Sequence, residues 1–467
     1  MAHNKVDGMW KPELNPKIKT KYLAIVEAIS TAIQQGELLP GERLPTHRDL
    51  AWELKLNVST VSQAYKEATR RHLIGGEVGR GTYVLATSRE AELFALKDYG
   101  KNSFGNRNFD LSTNIPAIHP DDQDAQKLLF EAVERGAGRE AFSYHSSDLL
   151  MRTRFAASQW LSWRGYEVKP SDIVPCAGGQ QALLASLLAL CEPGDKVLVE
   201  KYTFPGMKAV ARQLRLKLVG IDCDEEGIEP ESLEKALTAS GGKILVLNPN
   251  LNNPTGFTTS EQRRSDIVGI IKRHNIVVIE DDVYGPLSGN KPLSVLMPDH
   301  AVLISSLSKS VAPGLRYGFV SGCQRLIKSI DAEVHATNWA MSPFMIELAN
   351  MWILEGRAFA RADWQRHEVE ARWSLAKSRF KKMGSVNWEK TPCPHLWLAV
   401  SGKVSDVVDR LHDAGIDVVS GDLFSTVPQP TNHIRICLTA PESRSLLSHA
   451  IDKVVECNVL SGSLCSI

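Results

Sequence analysis

The middle of the chain constrains the fold most strongly, because short apolar segments there alternate with stretches of helical spacing. Buried strands that are joined by helices form mainly parallel sheets, covered by helices on both faces. The pattern therefore predicts an α/β domain with such a sheet. The six predicted strands are residues 196–200, 216–221, 244–247, 276–279, 302–307 and 318–321.

The first 85 residues follow a different pattern, which predicts a small separate domain. Apolar residues recur at helical spacing over residues 21–35, a second helix begins near Thr46, and a third covers residues 58–71. Residues 73–84 then form two short strands around Gly79-Arg80-Gly81, which is typical of a β-hairpin. We place this domain at residues 19–86, a linker at 87–108 and the α/β domain at 109–460.

Composition and charge exclude several classes of protein. The chain has 467 residues, and its 54 Lys and Arg residues balance 54 Asp and Glu residues. This balance excludes a histone-like polycation, and no apolar run is long enough to cross a bilayer. The eight cysteines show no metal-ligand spacing, and the first residues lack an apolar signal segment. We therefore predict a cytoplasmic protein with no metal site and no membrane partner.

Polar residues follow the predicted strands at the carboxyl ends, where open α/β sheets bind ligands. They are Asn253-Pro254-Thr255-Gly256 after the third strand, Glu280-Asp281-Asp282 and Tyr284 after the fourth, and Ser306, Lys309 and Arg316 around the end of the fifth. Gly178 and Gly179 precede a predicted helix on the same edge. We expect these groups to lie together in one site.

The chemistry of this set points to pyridoxal phosphate. A lysine amine can react with a carbonyl, and a carboxylate keeps a pyridine nitrogen protonated. Arg316, Ser306 and the amides of Gly179 and Gln180 suit a phosphate dianion. A magnesium site at the three consecutive acidic residues is disfavoured, because the sequence lacks the glycine-lysine turn that brings phosphates to such a metal.

These motifs resemble known families. Residues 109–457 resemble the fold-type-I aminotransferases, and residues 21–84 resemble the GntR-type winged helix. A chain that fuses the two in this order is similar to the MocR family of bacterial transcription regulators. The resemblance implies an N-terminal winged helix-turn-helix domain and a fold-type-I pyridoxal-phosphate-dependent transferase domain with a smaller C-terminal subdomain.

The resemblance also implies a role for individual residues. Lys309 would hold the cofactor covalently, and Asp281 would pair with its pyridine nitrogen; both would be catalytic. The cofactor-binding residues would be Gly179, Gln180, Phe204, Asn253, Asp281, Tyr284, Ser306, Lys309, Arg316 and, from the neighbouring subunit of a homodimer, Tyr144. Arg435 would bind a substrate carboxylate, and Asn114 stands where many aminotransferases have a substrate-lining glycine.

The candidate DNA contacts lie in the first domain. The second helix of a helix-turn-helix enters the major groove, so we expect Ser59, Thr60 and Gln63 to approach base edges. Arg43 and Arg48 would lie near phosphates, and Arg80 at the hairpin tip would reach the minor groove.

Two functions remain open. The first is a pyridoxal-phosphate-dependent, DNA-binding transcription regulator whose aminotransferase-like domain senses a small amino compound. The second is an active aminotransferase, acting on amino acids and 2-oxo acids, with an appended DNA-binding domain. The expected partners are a double-stranded DNA operator, the amino compound and a second copy of the chain.

Overall fold

The chain divides into two compact units, Met1–Lys97 and Asp98–Ile467. The computed structural model describes residues 5–6, 9–15, 18, 20–34, 37–38, 42–70, 73–77, 81–84, 108–134, 144, 146–380, 386–427 and 430–461. The predicted linker, residues 87–108, lies outside the described residues except for Asn108. The domain boundaries stated above therefore stay predictions.

The first unit is a winged helix, as the sequence predicts. Its elements are β1 (Lys5–Val6), β2 (Met9–Trp10), α1 (Lys21–Gln34), α2 (His47–Glu53), α3 (Val58–Arg70), β3 (Ile74–Glu77) and β4 (Gly81–Val84). Strands β3 and β4 pair antiparallel. Val61 and Tyr65 of α3 are buried in one core with Ile25 and Ile29 of α1, and Trp10 belongs to the same core.

Polar contacts fix the start of α2 against α3. The Thr46 side chain accepts a hydrogen bond from the Asp49 amide at 3.2 Å and so caps α2. The Tyr65 hydroxyl of α3 donates to the Pro45 carbonyl at 2.8 Å, and its ring meets the His47 ring edge-on at 4.7 Å. These contacts fix the orientation of α3 relative to the start of α2.

The second unit is an α/β structure around a seven-stranded sheet. The strands are β6 (Ile173–Cys176), β7 (Lys196–Glu200), β8 (Lys217–Ile221), β11 (Ile244–Leu247), β12 (Val277–Asp281), β13 (Ala301–Ser306) and β14 (Gly318–Gly322), and their order is β6-β14-β13-β12-β11-β7-β8. The pairs from β13 to β8 are parallel, whereas β14 is antiparallel to β13 and to β6. Two short strands, β9 (Cys223–Asp224) and β10 (Gly227–Ile228), form a separate hairpin.

Both faces of this sheet are buried by helices. Leu245 and Val246, adjacent residues of β11, lie in two different apolar cores because strand side chains alternate between the faces. The helices of the unit are α4 (Ala125–Glu134), α5 (Ser147–Trp163), α6 (Gly179–Leu190), α7 (Pro205–Gln213), α8 (Pro230–Ser240), α9 (Glu261–His274), α10 (Gly285–Ser288), α11 (Gln324–Thr337), α12 (Pro343–Leu354), α13 (Arg357–Phe380), α14 (Val404–Asp413) and α15 (Arg444–Glu456). None of the helices within the described ranges is both long and apolar enough to cross a membrane.

The sequence analysis missed strand β6. This segment contains Pro175, which has no amide hydrogen to donate to a neighbouring strand. Because β6 lies at the edge of the sheet and pairs only with β14, the proline is tolerated there. The other six strands lie within two residues of their predicted bounds.

A smaller subdomain follows the sheet, as expected. It contains β15 (His395–Ala399), β17 (Val419–Ser420) and β18 (His433–Cys437) in the order β15-β18-β17, together with α14 and α15. Strand β16 (Ile416–Asp417) pairs with β5 (Phe109–Asp110), so the chain that leads to Asn114 begins on this subdomain.

Gly318 of β14 is packed too closely to accept a side chain. A Cβ atom there would lie 2.8 Å from the Cα atom of Gly178, which precedes α6. The Gly318→Ala substitution should therefore lower the free energy of unfolding by about 1–3 kcal/mol, as overpacking does. Gly314→Ala is the matched control, since no atom lies within 4 Å of its Cβ position. Urea midpoints should fall only for the Gly318 variant, and equal midpoints would contradict this packing.

Candidate functional site

The three consecutive acidic residues divide between two roles because side chains alternate along β12. The Glu280 carboxylate accepts hydrogen bonds from the Ser294 amide and hydroxyl, and burial raises its pKa. Asp282 is fully buried against the Arg164 guanidinium at 3.3 Å. Both are structural, which leaves Asp281 on the opposite side of the strand. The residues that the structure describes contain no cluster of His, Cys, Asp and Glu suited to a metal ion.

Asp281 and Lys309 lie at the carboxyl ends of the adjacent parallel strands β12 and β13. Burial raises the pKa of Asp281 to about 6, although the Lys309 amine partly opposes that rise. Burial lowers the pKa of Lys309 to about 8, helped by the positive charges of Arg435 and Arg316. The amine donates a hydrogen bond to the main-chain carbonyl of Asn114. The site therefore holds a desolvated carboxyl group and a desolvated amine.

Tyr284 supplies a phenol on the same edge. Its hydroxyl is buried and has no hydrogen-bond partner among the described residues, and burial raises its pKa. Tyr284, Asn114 and Lys309 line one pocket. A buried hydroxyl without a partner costs free energy, so this phenol is suited to an acceptor supplied by a ligand.

Two glycines and an arginine form the other end of the site. Gly178 adopts a φ of +85°, and a Cβ atom there would lie 2.8 Å from the Arg316 guanidinium. Gly179 begins α6, whose first amides are free of helix partners and favour an anion. The Gln180 side chain donates to the Gly206 carbonyl at 3.0 Å, so the side-chain nitrogen is already engaged within the chain and the main-chain amide in the first turn of α6 is the donor left for such an anion.

Ser306 and Phe204 also lie on this edge. The Ser306 hydroxyl lies 3.0 Å from the Ser308 hydroxyl and 3.0 Å from the Tyr317 carbonyl. Phe204 caps the start of α7 and packs half-buried against the core that contains α6. Tyr144, by contrast, is 76% exposed within its own chain.

Arg435 lies on β18 in the smaller subdomain and is buried. One guanidinium nitrogen donates to the Asn253 side-chain oxygen at 3.1 Å, and another donates to the Ser112 carbonyl. Its Nε atom has no partner in the described part of the chain. Its guanidinium also lies over the Phe424 ring, 5.1 Å from the centroid. The structure thus joins Asn253 to Arg435, which the sequence did not indicate.

Together these residues fit pyridoxal phosphate. The unpartnered Tyr284 hydroxyl can donate to a ring oxygen, the Asp281 carboxyl can face a ring nitrogen, and the Lys309 amine can react with a carbonyl. The opening at Gly178 and the first amides of α6 can accept a phosphate. The donor set therefore matches each functional group of that cofactor.

The winged helix exposes most of its candidate DNA contacts. Arg48 on α2 and Ser59 and Gln63 on α3 are exposed, and Thr60 is half-buried. Arg43 is exposed and lies along β4, where it pairs with Tyr83. Arg80 lies outside the described residues. Four of the predicted DNA contacts, Arg43, Arg48, Ser59 and Gln63, are therefore exposed on the surface of the first unit, and a fifth, Thr60, is half-buried.

Comparison with known proteins shows which family each unit belongs to. The model for aminotransferase class I and II matches residues 107–454, and the model for bacterial regulatory proteins of the gntR family matches residues 21–84. The HTH-type transcriptional regulator YdeF of Bacillus subtilis (strain 168) is 30% identical over 454 residues, which cover 95% of each chain. The chain belongs to the MocR family.

Other matches agree with this family. The vitamin B6 salvage pathway transcriptional repressor PtsJ of Salmonella typhimurium is 25% identical over 92% of this chain and 96% of its own. An archaeal alanine:glyoxylate aminotransferase superposes on this MocR chain with a TM-score of 0.70 at 20% identity, over 76% of this chain and 91% of that one. Kynurenine aminotransferase of Pyrococcus horikoshii, solved with PMP, also gives a TM-score of 0.70 at 20% identity. The match covers 80% of this chain and 94% of that one. The chain is an HTH-type transcription regulator with an aminotransferase fold, and its family is one that uses pyridoxal phosphate.

The sequence analysis missed two buried residues of the site. His395 lies edge-on to the Tyr284 ring at 5.6 Å and contacts the Asn114 amide. Arg164 neutralises Asp282, 118 residues away in sequence. No spacing in the sequence connects either residue to the site, because both contacts depend on the packing of distant elements.

Proposed function

We propose that this MocR-type regulator binds pyridoxal phosphate covalently through Lys309 and recognises a small amino compound beside it. A homodimer of the chain then binds operator DNA according to the state of that site. The convergence of the Lys309 amine, the Asp281 carboxyl and the unpartnered Tyr284 hydroxyl at one sheet edge carries this proposal.

The cofactor would lie between the two ends of the site. Asp281 would face its ring nitrogen, Tyr284 and Asn253 its ring oxygen, and Phe204 one face of the ring. Gly179, Gln180, Ser306 and Arg316 would hold its phosphate. When bound, this group supplies a carbonyl that reacts with amines and a ring that withdraws electrons.

Lys309 is prepared for reaction with a carbonyl. Because burial lowers its pKa to about 8, a larger fraction of the amine is unprotonated near neutral pH than in an exposed lysine, although the protonated form still predominates. Only the unprotonated amine is a nucleophile. The Asn114 carbonyl accepts one of its hydrogens and leaves the nitrogen lone pair free.

Arg435 would bind the carboxylate of an amino acid ligand. Its Nε atom has no partner in the described part of the chain, and Asn253 and Ser112 hold the other side of the guanidinium. A guanidinium binds a carboxylate in two parallel hydrogen bonds, which orient the ligand as well as hold it.

Exposed apolar side chains on two helices are consistent with the proposed homodimer. Phe130 of α4 is 68% exposed, and Met151 and Phe155 of α5 are also exposed. Contiguous exposed apolar patches mark protein interfaces, and in the proposed homodimer these side chains would be covered by the second copy. Tyr144 is exposed and precedes α5 by three residues, and in the proposed homodimer it would reach the cofactor site of the second copy.

The cofactor prediction concerns Lys309. The purified protein, supplied with excess pyridoxal phosphate and reduced with borohydride, should carry one adduct, and peptide mass spectrometry should assign it to Lys309. Lys309→Ala should carry none. Lys390→Ala is the matched control, because Lys390 also has a pKa lowered by burial. A wild-type protein that carries no adduct after this treatment would contradict the cofactor proposal.

The DNA prediction compares two exposed residues. Arg48→Ala should weaken binding to all DNA sequences and reduce the slope of log affinity against log salt by about 1, as the loss of one phosphate contact does. Gln63→Ala should instead relax the preference at one base position. Binding measured across salt concentrations and across operator variants checks both, and two unchanged variants would exclude this face of the winged helix.

The ligand prediction separates the regulator from the alternative, an active aminotransferase. Arg435→Ala should keep the covalent link at Lys309 and the DNA affinity of the ligand-free protein, but lose the response to an amino acid ligand. Loss of one charge-assisted hydrogen bond to a charged group costs about 1.5–3 kcal/mol, so ligand affinity should fall at least tenfold. If only keto acid formation falls while transcription responds as before, the enzyme function is favoured.

A further inference from the structure

His395 lies where three segments of the site meet. Its side chain is buried, and its Nε2 atom lies 2.9 Å from the Asn252 carbonyl oxygen. Because a carbonyl only accepts, Nε2 carries the proton and Nδ1 is the acceptor. Nδ1 lies 3.3 Å from the side-chain nitrogen of Asn114, which donates to it. His395 thus joins the Asn252–Asn253 loop to the segment that contains Asn114.

Asn114 is held on both sides of its amide. While Nδ2 donates to His395, Oδ1 accepts from the Cys437 thiol at 3.5 Å. Its main-chain carbonyl accepts from the Lys309 amine. Hydrogen bonds therefore tie the Asn252 carbonyl to His395 and His395 to the Asn114 side chain, and the main-chain carbonyl of that same residue contacts Lys309.

The His395 ring stays neutral over the whole physiological range. Burial lowers its pKa to about 3, and the Arg435 charge adds to that effect. Nδ1 is therefore always available as an acceptor for the Asn114 amide.

We propose that His395 is a positioning residue that orients Asn114 and so holds the Asn114 carbonyl against the amine of Lys309. The inference rests on the proposed function only in that Lys309 is the residue that would carry the cofactor. An ammonium is a stronger donor than a neutral amine, so the held carbonyl favours the protonated form of Lys309 and opposes the effect of burial. His395 would thereby set the fraction of Lys309 that is reactive at a given pH.

Other groups also act on Lys309 and stay in place in the variants below. Asp281 and Cys437 favour its protonated form, and Arg316 and Arg435 disfavour it. Tyr284 lines the same pocket. A change that follows removal of His395 is therefore assigned to the carbonyl contact when Asn114→Ala reproduces it.

The test measures the proton affinity of Lys309 in the full-length protein without cofactor. Acetic anhydride acetylates only the unprotonated amine, and mass spectrometry of the Lys309 peptide gives the pH profile. In His395→Phe and in Asn114→Ala the main-chain carbonyl at position 114 remains but is no longer held by a side-chain contact, so its hydrogen bond to Lys309 weakens. The midpoint should therefore move to lower pH, by up to about tenfold in proton affinity. His395→Gln should stay near the wild type, since its amide can donate to Asn252 and accept from Asn114.

A matched control and a double variant separate positioning from packing. His433 is buried on β18 and stacks on the Trp397 ring at 5.0 Å, so His433→Phe makes the same substitution at a neighbouring position. Its profile should match the wild type. The double variant of His395→Phe and Asn114→Ala should shift no further than Asn114→Ala alone, because both changes interrupt one chain of contacts.

Unchanged midpoints in both single variants, or additive shifts in the double variant, would overturn the proposal. If His395→Phe does not fold, the other two variants decide. The proposal is supported if His395→Gln keeps the wild-type profile while Asn114→Ala shifts, and it is contradicted if these two variants have equal profiles. A wild-type protein that takes up no pyridoxal phosphate refutes the proposed function and leaves this measurement intact. Normal uptake together with unchanged profiles refutes only the role of His395.

Discussion

The desolvation of Asp281 and Lys309 at the ends of two adjacent parallel strands is the constraint on which the site depends. A carboxyl group and an amine are placed in a buried site only if the surrounding structure offsets the loss of water. Here β12 and β13 bring the two groups to one edge, and Arg164 neutralises the neighbouring Asp282. Burial raises the pKa of Asp281 to about 6 and lowers the pKa of Lys309 to about 8, so both shifts favour the neutral form of the group.

Close packing at one edge of the sheet positions the residues around Asp281 and Lys309. Gly318 allows β14 to approach the turn at Gly178, and this approach places the start of α6 beside Arg316. The smaller subdomain contributes Arg435 and His395 from its own strands, β18 and β15. The site is therefore built between the large sheet and the smaller subdomain of one unit, and the residues from each side contact one another through Asn253 and Asn114.

Much of this was predictable from the sequence, for a physical reason. Continuous apolar segments show where buried parallel strands lie, and the polar residues that follow them must meet at one sheet edge, so Asp281 and Lys309 could be assigned together. The apolar pattern alone did not show which of the three acidic residues faces the site, because that depends on the register of β12 in the folded sheet; the family resemblance is what singled out Asp281. It also could not show that His395 contacts Asn114 or that Arg164 contacts Asp282, since those contacts depend on distant elements packing together. Strand β6 was missed because Pro175 interrupts the pattern, and only its edge position makes the proline tolerable.

Under the proposed function of this MocR-type chain, the aminotransferase-like unit would control DNA binding by the winged helix. Such control is a coupling free energy, so it acts equally in both directions. The most direct test is a titration of the cofactor-loaded protein with amino compounds, followed by absorbance, with and without saturating operator DNA. The account predicts that the affinity for the effective compound differs between the two titrations, by the same factor by which that compound changes operator affinity. Identical affinities with and without DNA, for every compound that binds, would contradict it.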